Sequence, residues 1–108
     1  MELEELKELK QCNTEADLLR LIQEIDDKVI FKGYNIEQIL CLVSEIIGSD
    51  LLSIKYETRE EILHLMCDVI AYYGFLDGVK WECIIKIKEE LEDDLKEYIT
   101  EFMEPITN

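Results

Sequence analysis

The sequence predicts an all-α protein: a compact bundle or orthogonal array of about five helices. Three observations carry this. Apolar residues make up 48% of the 108-residue chain, enough to fill a modest core. Only one proline and four glycines punctuate it, and many short strands would need far more turn residues. The apolar residues recur at intervals of three and four, the period of a helix with one buried face. The length fits one domain spanning residues 1–108.

The first predicted helix covers residues 2–11, with Leu3, Leu6 and Leu9 among Glu and Lys. Asn13 or Thr14 can cap the second, which runs from Glu15 to about Lys28. Leu18, Ile22, Ile25 and Val29 form its stripe, flanked by Leu19 and Leu21. Phe31-Lys32-Gly33-Tyr34 reads as a turn. Asn35 and Gln38 then have the spacing of a capping box. The third helix repeats Ile36, Ile39, Leu40, Val43, Ile46 and Ile47; Cys41 and Leu42 widen the arc, so this helix is expected to be the most buried. Gly48-Ser49-Asp50 ends it.

Leu51 to Tyr56 reads as a connector with one helical turn. Thr58 and Glu61 give a second capping-box pattern before a fourth helix whose core face is Ile62, Leu65, Met66, Val69, Ile70 and Tyr73. Gly74 to Gly78 breaks the chain, with Asp77 as the next cap. A long fifth helix is expected from Val79 to Met103, with Trp81, Ile84, Ile85, Lys88, Leu91, Leu95, Tyr98 and Phe102 along one face. Pro105 is expected to stop it.

The charge excludes some functions. With 26 acidic and 11 basic side chains, the formal net charge is −15. Such a field repels nucleic-acid phosphates and anionic lipid, and attracts a basic protein surface. No apolar run reaches the roughly 20 residues of a membrane span. The opening MELEELKELK lacks the apolar stretch of a secretory signal, so a cytoplasmic protein with reduced thiols is expected. Cys12, Cys41, Cys67 and Cys83 lack paired C-x-x-C spacing. Cys41, Cys67 and Cys83 read as small core residues, and Cys12, in a loop, as the exposed thiol.

Catalytic chemistry is thinly supplied. His64 is the only histidine. Glu61-x-x-His64 is half of a di-iron motif, and no second histidine completes it. His64, Cys67 and Asp68 share a helix face, but a tetrahedral metal site needs a further ligand from elsewhere, such as Cys41 or Cys83. No glycine-rich phosphate loop or nucleophile elbow is present. The expectation is therefore no catalytic residue, no metal and no cofactor.

Two features point to partner binding. One is the acidic concentration Glu89, Glu90, Glu92, Asp93, Asp94, Glu97, Glu101 and Glu104, with only Lys96 among them. On one helix, Glu89-Asp93-Glu97-Glu101 would stack like charges, which costs a few tenths of a kcal/mol per pair, roughly, and a basic partner would relieve it. The other is the aromatic break Tyr72-Tyr73-Gly74-Phe75-Leu76 followed by Trp81. Tyr73 and Trp81 fall on core positions, leaving Tyr72 and Phe75 as anchor candidates. The partner-binding set is Tyr72, Phe75, Glu89, Glu90, Asp93, Asp94, Glu97 and Glu101.

The start MEL, then Thr14-Glu15-Ala16-Asp17-Leu18-Leu19-Arg20-Leu21, then an apolar helix closing near Ser49-Asp50-Leu51, resembles the first half of the colicin DNase immunity proteins. Those are small acidic helical proteins that bind and silence a bacterial toxin. The resemblance covers roughly the first fifty residues, in words common to helices. Beyond Leu51 the chain departs: Tyr72-Tyr73 is followed by Gly74, where the family carries a tyrosine-tyrosine-proline recognition helix nearer the middle of its chain. No binding residue is carried over. What the resemblance implies is an inhibitor of a basic toxin or nuclease. The competing expectation is a helical adaptor or a self-associating module, for instance a homodimer packing on its first and last helices.

Overall fold

The computed structural model describes residues 3–48, 51–74, 76 and 78–107, the last six of these as main chain only. Among them the elements are α1 (Glu4–Gln11), α2 (Glu15–Ile30), α3 (Ile36–Ile47), α4 (Tyr56–Tyr73), α5 (Glu82–Lys86) and α6 (Asp93–Thr107). Two 3-10 turns, Leu51–Ser53 and Lys88–Glu90, complete the list. The fold is all-α, and no helix is long and apolar enough to cross a membrane.

Helix starts follow local chemistry. Thr14 Oγ1 accepts from the Asp17 N–H at 3.2 Å and opens α2. Asn35 and Gln38 form the reciprocal capping box of α3, at 2.8 and 2.9 Å. The expected box at Thr58 does not form. Helix α4 begins earlier, capped by Lys55, whose N–H donates to Glu15 Oε1 of α2 at 2.8 Å. That tertiary bond satisfies the backbone a turn before Thr58, which is buried inside the helix.

Helix α2 ends two residues later than the apolar stripe implied. The Gly33 N–H reaches back to the Lys28 carbonyl at 2.8 Å and the Lys32 N–H to Val29 at 2.9 Å, the bond pair of a Schellman termination. The left-handed residue is Lys32, at φ 52°, not the glycine beside it. Gly74, which closes α4, sits at φ 81° and ψ −175°, a conformation open to glycine almost alone.

The core is one cluster contributed by α2 (Leu21, Ile22, Ile25, Val29), α3 (Ile39, Leu42, Val43, Ile46), α4 (Ile62, Leu63, Leu65, Met66, Val69) and the last third of the chain (Ile84, Leu91, Leu95, Ile99). Each fully buried Leu or Ile contributes about 1.5–3 kcal/mol relative to exposure. The most buried helix is α4, not α3: α4 packs against α2, α3 and α6, and buries Thr58 and Arg59 besides its apolar residues. In α3 the apolar excess points outward instead, with Ile36 55% exposed and Cys41 on the surface.

The expected long fifth helix is two helices. Helix α5 ends at Lys86, a 3-10 turn follows, and Leu91 is extended at φ −88° and ψ 159°. The Glu92 carbonyl then accepts from the N–H groups of Leu95 and Lys96 and starts α6. This break moves Asp93 and Asp94 from mid-helix into a first turn, where the helix dipole favours negative charge. It also buries Leu91 and frees Glu92 to reach α4. Pro105 does not stop α6, which continues to Thr107. A proline's fixed φ is itself helical, and in the last turn of a helix the lost bond and the ring's crowding of the carbonyl four residues earlier leave little helix beyond them to disrupt. Asp77, Ser49 and Asp50, expected at helix boundaries, lie outside the described residues.

Arg59 fastens these parts together. Its guanidinium donates to the carbonyls of Leu51 (Nε, 2.9 Å), Leu52 (Nη2, 3.1 Å) and Ile54 (Nη2, 2.7 Å). Nη1 grips both oxygens of Glu92 at 2.5 and 3.0 Å. One buried side chain thus satisfies the 3-10 connector and fixes the chain just ahead of α6.

Candidate functional site

Once Glu92 is held, α6 runs beside α4 and faces it with Asp94, Glu97, Tyr98 and Glu101. With Glu60 of α4 these residues line an open depression of about 230 Å³. Four of its five lining residues are carboxylates. Tyr56 hydrogen-bonds to Asp94 and, at 3.3 Å, to Glu60, bridging the two helices at one end. The bond to Asp94 raises the Tyr56 phenol above its ordinary range, with desolvation second, so it remains a neutral donor. At the other end Cys67 of α4 donates its S–H to the Tyr98 carbonyl at 3.6 Å.

The depression is short of positive charge. Among the described residues, no lysine or arginine pairs with Glu60, Asp94, Glu97 or Glu101. The expected acidic ladder is therefore divided. Asp94, Glu97 and Glu101 share the depression. Glu89 and Asp93 stand apart, with Lys96 Nζ between them at 3.8 and 3.7 Å. Because Glu89 belongs to the 3-10 turn, the four-residue ladder of like charges is cut to Asp93, Glu97 and Glu101. Glu90 is exposed on the same turn as Glu89.

The aromatic anchors are not brought to this surface. Tyr72 is exposed in the last turn of α4, a twelve-residue step from Glu60 that spans about 18 Å of helix. Phe75 lies outside the described residues. Tyr73 and Trp81 pack inward as expected; the Tyr73 hydroxyl donates to the Tyr34 carbonyl at 2.9 Å. The aromatic residues that do border the acidic surface, Tyr56 and Tyr98, were missed. Tyr56 lay in a segment read as connector, and Tyr98 on a core stripe.

The thiols are also redistributed. Cys41 and Cys83 are exposed, while Cys12 is half-buried against the core, its thiol pushed up mainly by burial. The arc of α3 is rotated so that Leu42 and Val43 point inward and Cys41 does not. Cys67, read as a core residue, is half-buried against the core, and burial pushes its thiol up to about 12.

A second cluster of chemistry-bearing groups lies on the seam between α2 and α4. His64 Nδ1 is 3.3 Å from Asp26 Oδ2 of α2 and 4.0 Å from Glu61 Oε1; Nε2 is 3.8 Å from Asp68 Oδ2. The Tyr98 ring meets the imidazole edge-on, with centroids 6.3 Å apart. Asp26 is buried on the apolar face of α2, and desolvation, then the neighbouring Asp68, raises its carboxyl above the usual range. His64 itself is about half exposed, so the cluster opens to solvent. The spacing of His64 and Asp68 was legible in the sequence. Cys67, considered with them, turns away to Tyr98. Asp26 had no sequence signal, because only the α2–α4 packing brings it within reach.

No protein-family model, curated protein or solved structure matches this chain.

Proposed function

We propose that this protein is a non-catalytic, cytoplasmic inhibitor that binds a basic surface of another protein, such as the nucleic-acid-binding face of a toxin or nuclease. The observation that carries the proposal is the depression between α4 and α6, where Glu60, Asp94, Glu97 and Glu101 have no basic partner among the described residues. Four carboxylates around one small hollow repel each other, and a lysine or arginine seated there relieves that repulsion. Tyr98, which lines the hollow, and Tyr56, which hydrogen-bonds to Glu60 and Asp94, supply contact area. The net charge of −15 extends the same field over the surface and speeds encounter with a basic partner.

The reactive groups favour binding over catalysis. The histidine is not paired with a nucleophile: Cys67 is engaged by the Tyr98 carbonyl and its thiol is held neutral. The resemblance of the first fifty residues to immunity proteins points the same way. Capture from a lysate of the native host, eluted with increasing salt and identified by mass spectrometry, tests the proposal. A basic protein released by salt is the expected result; retention of none, or of partners indifferent to salt, contradicts it.

A second reading has one observation of its own. Phe31 is 84% exposed at the α2–α3 corner, near Ile30 and Ile36, which are also exposed. An apolar corner of this kind suits a self-associating module. The expected dimer face on α1 is a weaker basis, because Leu3, Leu6 and Leu9 pack on the chain's own core. Sedimentation across a range of concentrations distinguishes the two: a strict monomer removes the self-associating module.

A further inference from the structure

We propose that Asp26, His64 and Asp68 form a binding site for one divalent first-row metal ion of the zinc class, which clasps α2 to α4. One ring nitrogen of His64 and one oxygen from each carboxylate all lie within 4.8 Å of one another. Ligands bonded at roughly 2.0–2.2 Å to a single Zn²⁺ stand about 3.3 Å apart in a tetrahedron. The His64 Nδ1 to Asp26 Oδ2 separation is already 3.3 Å. The remaining gap closes by a small swing of His64, whose side chain is 46% exposed.

A separate observation points to a ligand. The Asp26 side chain is only 7% exposed, and no nitrogen or hydroxyl donor reaches its Oδ1; its carboxyl neighbour is Asp68, with which it can share only a proton. Asp68 Oδ2 is likewise buried and without a donor. A buried carboxylate oxygen normally finds a donor, and a cation between the two aspartates satisfies both. The protein's own cations do not reach them; among the described residues, His64 is the one positive-capable group paired with Asp26 or Asp68.

The donor set selects the metal. An imidazole with two carboxylates suits zinc, cobalt or nickel better than magnesium or calcium, which favour oxygen donors alone. Ligands from two different helices make the ion a cross-link, so its binding stabilises the fold.

The experiment is titration of chelator-treated full-length protein with Zn²⁺ and with Co²⁺, followed by calorimetry and by NMR of the histidine ring. His64 is the sole histidine, so its ring signals are unambiguous. One equivalent is expected to bind, to move the His64 signals and to raise the melting temperature, with Mg²⁺ and Ca²⁺ failing to do the same. His64→Ala and Asp68→Asn alter side chains that are not fully buried, and circular dichroism verifies their fold. Each is expected to weaken Zn²⁺ binding by more than about tenfold. Absence of binding, unperturbed His64 signals, or variants that bind as tightly as the parent overturn the site and assign any bound metal to the general acidic surface.

Discussion

Replacing Arg59 by Met tests how the acidic surface is built. Methionine keeps most of the stem's packing volume and removes the guanidinium. Three backbone carbonyls, those of Leu51, Leu52 and Ile54, lose their charged donor. Hydrogen bonds to charged groups contribute about 1.5–3 kcal/mol. The connector lies near the surface and water can reach some of these carbonyls once the side chain is gone, so about 1 kcal/mol each is the appropriate discount. The ion pair to Glu92 adds less than about 1 kcal/mol, because the Glu92 side chain is 42% exposed. The sum is about 3–4 kcal/mol, against a total stability of roughly 5–15 kcal/mol for a chain of this size.

The assay is thermal unfolding followed by circular dichroism and by Trp81 fluorescence. At roughly 4–8 °C per kcal/mol for a small domain, a melting temperature lower by more than about 12 °C is expected. Arg59→Lys keeps the charge but not the planar fork, and should lose about half as much. Glu92→Gln should cost less than about 1 kcal/mol. A Met variant as stable as the parent would show that the connector carbonyls do not depend on Arg59, and the account of how α6 is held beside α4 would fail.

Further outcomes follow from the backbone and the thiols. Lys32→Gly should raise stability by about 0.5–1 kcal/mol, since the left-handed position at φ 52° strains a lysine and not a glycine; an unchanged urea midpoint would contradict this. Gly74→Ala should cost about 1–3 kcal/mol from strain alone, because an added Cβ would meet nothing within 4 Å. Ellman's reagent at pH 8 should modify Cys41 and Cys83 rapidly, Cys12 slowly and Cys67 only on unfolding. Single Cys→Ser variants assign each rate, and a fast Cys67 would contradict its placement.

Much of the architecture was legible because it rests on apolar period and capping chemistry. The stripe through Ile22, Ile25 and Val29 and the box at Asn35 and Gln38 are local signals, and the structure keeps both. What was missed depends on contacts distant in sequence. Thr58 looked like a cap, but Glu15 of α2 had already satisfied the backbone at Lys55. The α5–α6 break was hidden because helical spacing continues across it, while its causes are the Arg59–Glu92 pair and the gain from placing Asp93 and Asp94 in a first turn. The acidic residues were identifiable by composition. Which of them converge was not, since that requires Glu60 of α4 and the position of α6. Asp26 illustrates the same limit: a carboxylate on an apolar stripe becomes meaningful only when His64 and Asp68 are found against it.

The most direct measurement of the central claim is the affinity of the captured basic partner for the parent protein and for the variant Glu60→Gln/Glu97→Gln/Glu101→Gln, by calorimetry at low and high ionic strength. These three carboxylates have no ion-pair partner among the described residues, so neutralising them should leave the fold intact. The parent should bind tightly at low salt and lose affinity as salt rises, and the variant should bind at least about tenfold more weakly with a shallower salt dependence. Equal affinities at both ionic strengths would contradict the assignment of the α4–α6 hollow as the partner-binding surface.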